Sequence, residues 1–316
     1  MKRNFFTRAS IAAFATLSVS LFSSACSKDD DDTNNSPKTI AAIVMENNSY
    51  SLLESAVTKA NLGATLNGAG PFTVFAPADA SFNASGITSS VIASTPADEL
   101  EEILLYHTIG AKVMAADVPA GPNAAVTTAG GDPVYVTKNS NGVFVNGWKV
   151  TTADIAASNG VIHSIERALI PPMGNLVEVA QANDNFTYLV AAVLRASEGS
   201  TNVAQVLTSD GPFTVFAPVN QAFIDAGFPT IASIQAADPN TLASILTYHV
   251  VPSRAFSSDL SDGQNLTTAH GGTVRVGLGS NATLKGNGNT TNANITAVNV
   301  MATNGVVHVI DKVLLP

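Results

Sequence analysis

The chain has 316 residues, 46% of them hydrophobic and only 12% charged, enough length and apolar content for two domains with substantial cores, and this excludes a disordered chain. Its formal net charge of −9 excludes a sequence-independent grip on nucleic acid, because that grip needs clustered lysine and arginine to neutralise phosphates. A single cysteine excludes an internal disulfide framework and any multi-cysteine metal centre.

At the N-terminus, Lys2, Arg3 and Arg8 precede an apolar stretch from Ile11 to Phe22, which is too short to span a bilayer and has the order of a secretory signal. Ser23, Ser24 and Ala25 then lead to Cys26. The run SSAC resembles a bacterial lipobox, whose cysteine is acylated and becomes the first mature residue, although Ser23 stands where a bulky aliphatic residue is usual. That resemblance implies a signal peptide over 1–25, lipidation at Cys26, and membrane contact through the N-terminal lipid anchor. The following SKDDDDTNNSP is too polar to bury a core and reads as a disordered acidic tether over 26–37. Lys28-Asp29-Asp30 looks like the acidic signal that sends some lipoproteins to the outer membrane, facing the cell exterior.

The rest of the chain is written twice. YSLLESAVTKA from Tyr50 corresponds to FTYLVAAVLRA from Phe186, and GPFTVFAPADASF from Gly70 to GPFTVFAPVNQAF from Gly211. LLYHTI, with His107, returns as LTYHVV, with His249; NGVIHSIERALIP from Asn159 returns as NGVVHVIDKVLLP from Asn304. Four landmarks in one order mean two homologous domains, placed at 38–172 and 173–316. Pro171-Pro172 leaves almost no linker between them, so the domains are expected to be held close.

Each landmark has a local reading. PFTVFAP is a short apolar run rich in β-formers, suited to a strand buried on both faces, with Asp79 or Asn220 expected to cap the helix that follows. The next helix is expected to start with Thr95 as cap and Pro96 at its first position, and in the second copy with Asp238 and Pro239. Leu100, Ile103, Leu104 and His107 form one core-facing stripe; Leu242, Ile245, Leu246 and His249 form the other. PVYVTKNSNGVFVNG predicts a hairpin with Asn141-Gly142 at a type I′ turn. Asn159-Gly160 and Asn304-Gly305 then open an alternating strand that ends at proline. Helices early and strands late in each repeat predict α+β domains with a largely antiparallel sheet.

The order of TVFAPxxxxF, a YH pair and NGVVHVIDxVLLP resembles the fasciclin domain, over nearly the whole chain from about residue 38 to 316. Ser164 and Glu166 are small departures in the first copy. The resemblance implies two fasciclin-like domains, each a β-wedge or sandwich decorated with helices. It also implies non-enzymatic adhesion or binding at the cell surface, to an extracellular protein or matrix partner or, alternatively, to a glycan or polysaccharide. No catalytic residue and no cofactor belong to the family's core motifs.

Four of the five histidines, His107, His163, His249 and His308, occupy matched positions in the two copies. They sit on apolar faces without the spacing of a metal or catalytic set, so a hydrogen-bonded core role is expected and no metal ligand is assigned. His270, in AHGG, has no counterpart. Trp148, the only tryptophan, is the candidate ligand-binding residue, either as an exposed platform for a sugar or as a half-buried sheet residue. The hairpin that carries it is aromatic, whereas the matching TVRVGLGSNATLKGNG is small and polar. The two domains are therefore expected to differ in surface and to contribute unequally to binding, with the first dominant.

Overall fold

The computed structural model describes residues 37–316. The expected signal peptide, the expected lipidation site Cys26 and the expected tether up to residue 36 lie outside the described residues. In the first repeat the helices are α1 (Ile40–Glu46), α2 (Ser51–Lys59), α3 (Gly63–Leu66), α4 (Asp79–Ala84), α5 (Ser89–Ser94) and α6 (Ala97–Tyr106). Its strands are β1 (Phe72–Pro77), β2 (Thr108–Ile109), β3 (Gly121–Thr127), β4 (Pro133–Asn139), β5 (Gly142–Val145), β6 (Trp148–Ala157) and β7 (Gly160–Ile165). The second repeat supplies α7 (Leu176–Gln181), α8 (Thr187–Ala196), α9 (Val203–Thr208), α10 (Asn220–Asp225), α11 (Ile231–Gln235) and α12 (Pro239–Tyr248). Its strands are β8 (Phe213–Pro218), β9 (Val250–Val251), β10 (Asn265–Thr267), β11 (Thr273–Leu278), β12 (Ala282–Lys285), β13 (Ala293–Ala302) and β14 (Gly305–Ile310).

The strand orders β2-β1-β7-β6-β5-β4-β3 and β9-β8-β14-β13-β12-β11-β10 are one topology built twice. Among the described residues only β1 with β7, and β8 with β14, run parallel; every other pairing there is antiparallel. Side chains alternate across β1. Val74 and Ala76 pack into the helical layer with Leu53, Leu100 and Leu104, while Phe75 packs with Val134, Val136 and Val145 of the hairpin layer. Each domain is thus an α+β wedge whose central strand pair is covered on both faces, as PFTVFAP requires.

The two most repeated phrases are the two halves of that pair. Phe72 to Pro77 lie beside Gly160 to Ile165 in register, and Phe213 to Pro218 lie beside Gly305 to Ile310. Gly160 is needed there because a Cβ would collide with the carbonyl oxygen of Phe72. The preceding asparagine fastens the helices to the sheet. Buried Asn159 accepts from Ile40 N at 2.9 Å and donates to Leu66 O and Gly68 O, both at 2.8 Å. Asn304 repeats this with Leu176 N at 3.0 Å, Leu207 O at 2.8 Å and Ser209 O at 2.7 Å.

Four local expectations need correction. Asp79 and Asn220 do not cap their own helices. Asp79 accepts from Leu52 N, in the first turn of α2, and Asn220 accepts from Tyr188 N, in the first turn of α8, so each caps a neighbouring helix across the fold. Thr95 donates back to Val91 O and Pro96 is itself the cap residue of α6, although Asp238 and Pro239 start α12 as expected. The β4–β5 turn is Ser140-Asn141, and of the expected pair only Gly142 has positive φ, 124°. β7 is buried throughout instead of alternating, because strands flank it on both sides and layers cover both faces; it ends at Ile165, well before Pro171.

Replacing Asn304 by alanine removes three hydrogen bonds and strands one amide and two carbonyls in the interior. The expected loss of stability is on the order of 3 kcal/mol, read as a lowered urea midpoint with an unchanged slope for the rest of the transition.

Candidate functional site

The two copies meet through unlike faces. Tyr135 of β4 lies against Arg254 of the second domain, with the guanidinium carbon 4.1 Å from the ring centroid, and its ring is 6.0 Å from that of Phe256. Arg254 is buried and donates to Gly305 O at 2.6 Å and Thr303 O at 3.3 Å, and burial weakens its hold on its proton. Asn123 donates to Arg254 O at 2.7 Å, Asn139 to Ser258 O at 3.1 Å, and Thr137 to Asp259 at 3.1 Å. These bonds, the cation–π contact and the short Pro171-Pro172 connection hold the domains close.

Beside this contact is a cleft of about 670 Å³. Trp148 and Arg167 line it from the first domain, and Val298, Asn299 and Val300 of β13 line it from the second; Val179 of α7 and Met173 of the connection complete it. Its shape follows from two backbone irregularities. Asn146 and Gly147 both have positive φ, 48° and 78°, and make the tight turn that delivers Trp148 to the start of β6. In β13 the register slips between Ala297 and Val300, where Asn299 has φ 62°. Asn299 is held by Ser257, accepting from its N at 2.8 Å, and packs against Gly147, where a Cβ would not fit. The lining is mostly apolar and unusually open to water: Met173 is 90% exposed, Ile170 46% and Val300 39%.

Trp148 therefore does reach a cleft, but as a half-buried residue packed on the hairpin-layer core. The Arg167 guanidinium carbon lies 5.5 Å from its ring centroid, so one face is already covered. Arg167, Met173 and Val300 were not singled out in the sequence. The signals available were a methionine directly after two prolines at the repeat junction and the unequal hairpins.

The matched histidines are parts of the scaffold. His107 Nδ1 donates to Ile103 O at 2.8 Å while Nε2 accepts from Leu169 N at 2.8 Å. His249 does the same with Ile245 O and Leu314 N, both at 2.8 Å. An Nε2 that accepts from an amide carries no proton, so both rings are neutral and tie the chain after the last strand to the end of a helix. His163 accepts from Asp154 N at 3.1 Å and donates to Val113 O at 2.8 Å. His308 donates to Ala255 O at 2.9 Å, and its buried Nδ1 has no partner among the described residues. Burial pushes His107, His249 and His308 down to about 4. His270 is exposed and meets the Tyr248 ring edge-on, 5.8 Å between centroids. Among the described residues no group of three or more His, Cys, Asp or Glu is placed to hold a metal.

Comparison with known proteins gives the same two-part organisation. A family model described as the fasciclin domain matches residues 48–171 and 184–316. Transforming growth factor-beta-induced protein ig-h3 of Sus scrofa is 29% identical over 256 residues, covering 79% of this chain and 35% of that protein. Periostin of Homo sapiens is 30% identical over 239 residues, covering 74% of this chain and 26% of that one. Protein sll1483 of Synechocystis is 38% identical over 140 residues, covering 44% of this chain and 76% of that one. The chain thus spans about a third or less of the length of ig-h3 and periostin. A solved FAS1 domain pair from the insect cell adhesion molecule Fasciclin I aligns with a TM-score of 0.41 at 19% identity, covering 86% of this chain and 98% of that one.

The three depressed histidines set the pH dependence of stability. Unfolded chains take up protons near pH 6.5, whereas these native rings stay neutral down to about 4. Their contribution is therefore complete above about pH 7 and falls between about 6.5 and 4, each ring contributing on the order of 1 kcal/mol per pH unit. Melting temperature should drop steeply over that range, and a flat profile would contradict the buried neutral assignment. His107→Ala or His249→Ala should lower stability by about 1–3 kcal/mol at pH 7.5.

Proposed function

The chain belongs to the fasciclin family, and we propose from that premise that it is a non-enzymatic adhesion and binding protein of the cell surface, contacting an extracellular protein or matrix partner. Fasciclin domains recur in cell-adhesion proteins, which supports a binding role. In this reading the signal-like N-terminus exports the chain, and lipid on Cys26 holds it at the outer membrane with the domains facing outward.

The observation that carries the choice of a protein partner is the junction cleft. Beside Glu178 and Asn183 it exposes Met173, Ile170 and Val300, large apolar side chains whose contact with water is unfavourable and which a partner's apolar side chains would cover. Its walls are fixed by the Tyr135–Arg254 contact, so little ordering opposes docking. The cleft needs both domains, which refines the expectation that the first domain dominates: the first brings Trp148 and Arg167, the second brings β13. A polysaccharide is the competing ligand, favoured by Trp148 and Asn183 on the same cleft, but Arg167 occupies one of the two ring faces on which a sugar would stack.

A single experiment addresses anchoring and binding together. The full chain should partition with membranes and carry acyl mass on Cys26, and Cys26→Ala should be released to the medium. The released protein, applied to arrays of matrix proteins and of glycans, should bind a protein. Met173→Asp and Val300→Asp should each weaken that binding about tenfold or more at unchanged melting temperature, because both side chains are exposed and support no core. Capture by glycans alone, or equal binding by both variants, would overturn the assignment.

A further inference from the structure

The first domain contains a second concavity, apart from the junction and left unfilled by the hairpin-layer core that surrounds it. It is a cavity of about 200 Å³ between the central strands and the hairpin layer, floored by Phe75, Ile109 and Val136, walled by Val150, and bordered by Val113 and Asp117. Asp117 is exposed, so the cavity reaches solvent beside that carboxylate. A dry cavity of about 150 Å³ is already large enough to hold benzene. Interiors are otherwise packed as densely as organic crystals, so a void of this size in an otherwise filled wedge marks a place where something fits.

The polar groups around it define what fits. His163 lines the cavity, but both ring nitrogens are engaged, Nδ1 by Asp154 N and Nε2 by Val113 O, so it offers only its ring. The Phe75 ring lies 5.8 Å from it, which puts two flat surfaces on the same cavity. The only charged side chain in the lining is Asp117, whose Oδ2 accepts from Met114 N at 3.1 Å. Its other oxygen has no partner among the described residues. Lys138, the nearby cation, lines no part of the cavity; it is spent on Ala115 O at 3.0 Å and Ala116 O at 3.2 Å, fastening the bordering loop to β4. An anion would thus find no cationic side chain and one negative charge, whereas a hydroxyl would find a free acceptor.

We propose that this cavity is a binding site for a small, neutral, monocyclic compound that carries a hydroxyl, an aromatic alcohol being the type case, with its ring among Phe75, Ile109 and Val136 and its hydroxyl donating to Asp117. The site lies wholly in the first domain and does not depend on the junction cleft or on its partner.

The second domain supplies the control. Asp259 accepts from Phe256 N as Asp117 does from Met114 N, so Leu260 stands where the first domain has Val118. Ile295 pairs with Ile310 as Val150 pairs with Ile165. The same fold accepts the larger side chain at both places, and Val118 and Val150 both line the cavity. The test is a titration of the isotope-labelled Cys26→Ala chain with benzyl alcohol and with benzoate, followed by the methyl resonances of Ile109, Val136 and Val150. Benzyl alcohol should shift them saturably, with benzoate at least tenfold weaker. Asp117→Asn should remove that discrimination. Val118→Leu with Val150→Ile should abolish the shifts at an unlowered melting temperature; Val150→Ile alone, the smaller change, should weaken binding severalfold should the pair prove destabilising. Non-saturating shifts, equal binding of benzoate, or undiminished binding in the filled variants would overturn the proposal.

Discussion

The buried amide of Asn159, matched by Asn304, is the constraint on which each domain depends. A parallel strand pair cannot be closed by a short turn; its partners must come from distant parts of the chain. Here β1 opens the sheet and β7 returns to it only after three helices and five strands. The residue that begins this return carries one acceptor and two donors, and all three are used on the helical layer: Ile40 at the start of α1, and Leu66 and Gly68 where α3 ends. The strand pair and the helices that cover it are therefore positioned by the same side chain. The histidine at the end of α6 does the complementary task, receiving Leu169 N just beyond β7. Between them, the asparagine and the histidine fix both ends of the returning strand, which is why these two short phrases survive in both copies while the hairpins between them diverge.

The divergence is where the domains meet. Register places Arg275 at the position of Tyr135, since Val134 pairs with Val126 as Val274 pairs with Leu266. The threonine of each first strand reaches Ala111 O in one copy and Ser253 O in the other, which places Lys112 at the position of Arg254. The contact between domains is thus heterologous: the tyrosine face of the first meets the arginine face of the second. A heterologous contact could in principle repeat along an array, but the faces left free present Lys112 and Arg275, two cations that oppose one another. The scaffold is symmetric by descent and the junction is not, so the cleft beside it exists once.

Much of this was legible in the residues, and the failures share a cause. The buried strand in PFTVFAP, the helix stripe ending at His107, the cap at Asp238-Pro239 and the doubling of the fold all follow from local pattern, because each depends on neighbours in sequence. Asp79 was legible as a capping residue but not as the cap of α2, since the amide it satisfies belongs to Leu52, a helix away. The alternation expected of β7 failed for a similar reason: a strand in the middle of a covered sheet has no solvent face to alternate toward. The junction cleft was legible only through Trp148 and the unequal hairpins, because it is assembled from a turn, a connection and a bulge contributed by three separate segments. A further signal was Asn146-Gly147, a pair suited to positive φ, which sits immediately before Trp148 and is the turn that aims it.

The central claim is that the parallel pair clamped by asparagine is the cooperative heart of each domain and that the hairpins are additions to it. Native-state hydrogen exchange of backbone amides tests this most directly. Amides of Val161 to Ile165 and of Val306 to Ile310 should exchange only through global unfolding of their own domain, while those of β3 to β5 and β10 to β12 open at lower free energy. Hairpin amides that exchange as slowly as the central pair, or a central pair that opens while the hairpins stay protected, would contradict the account.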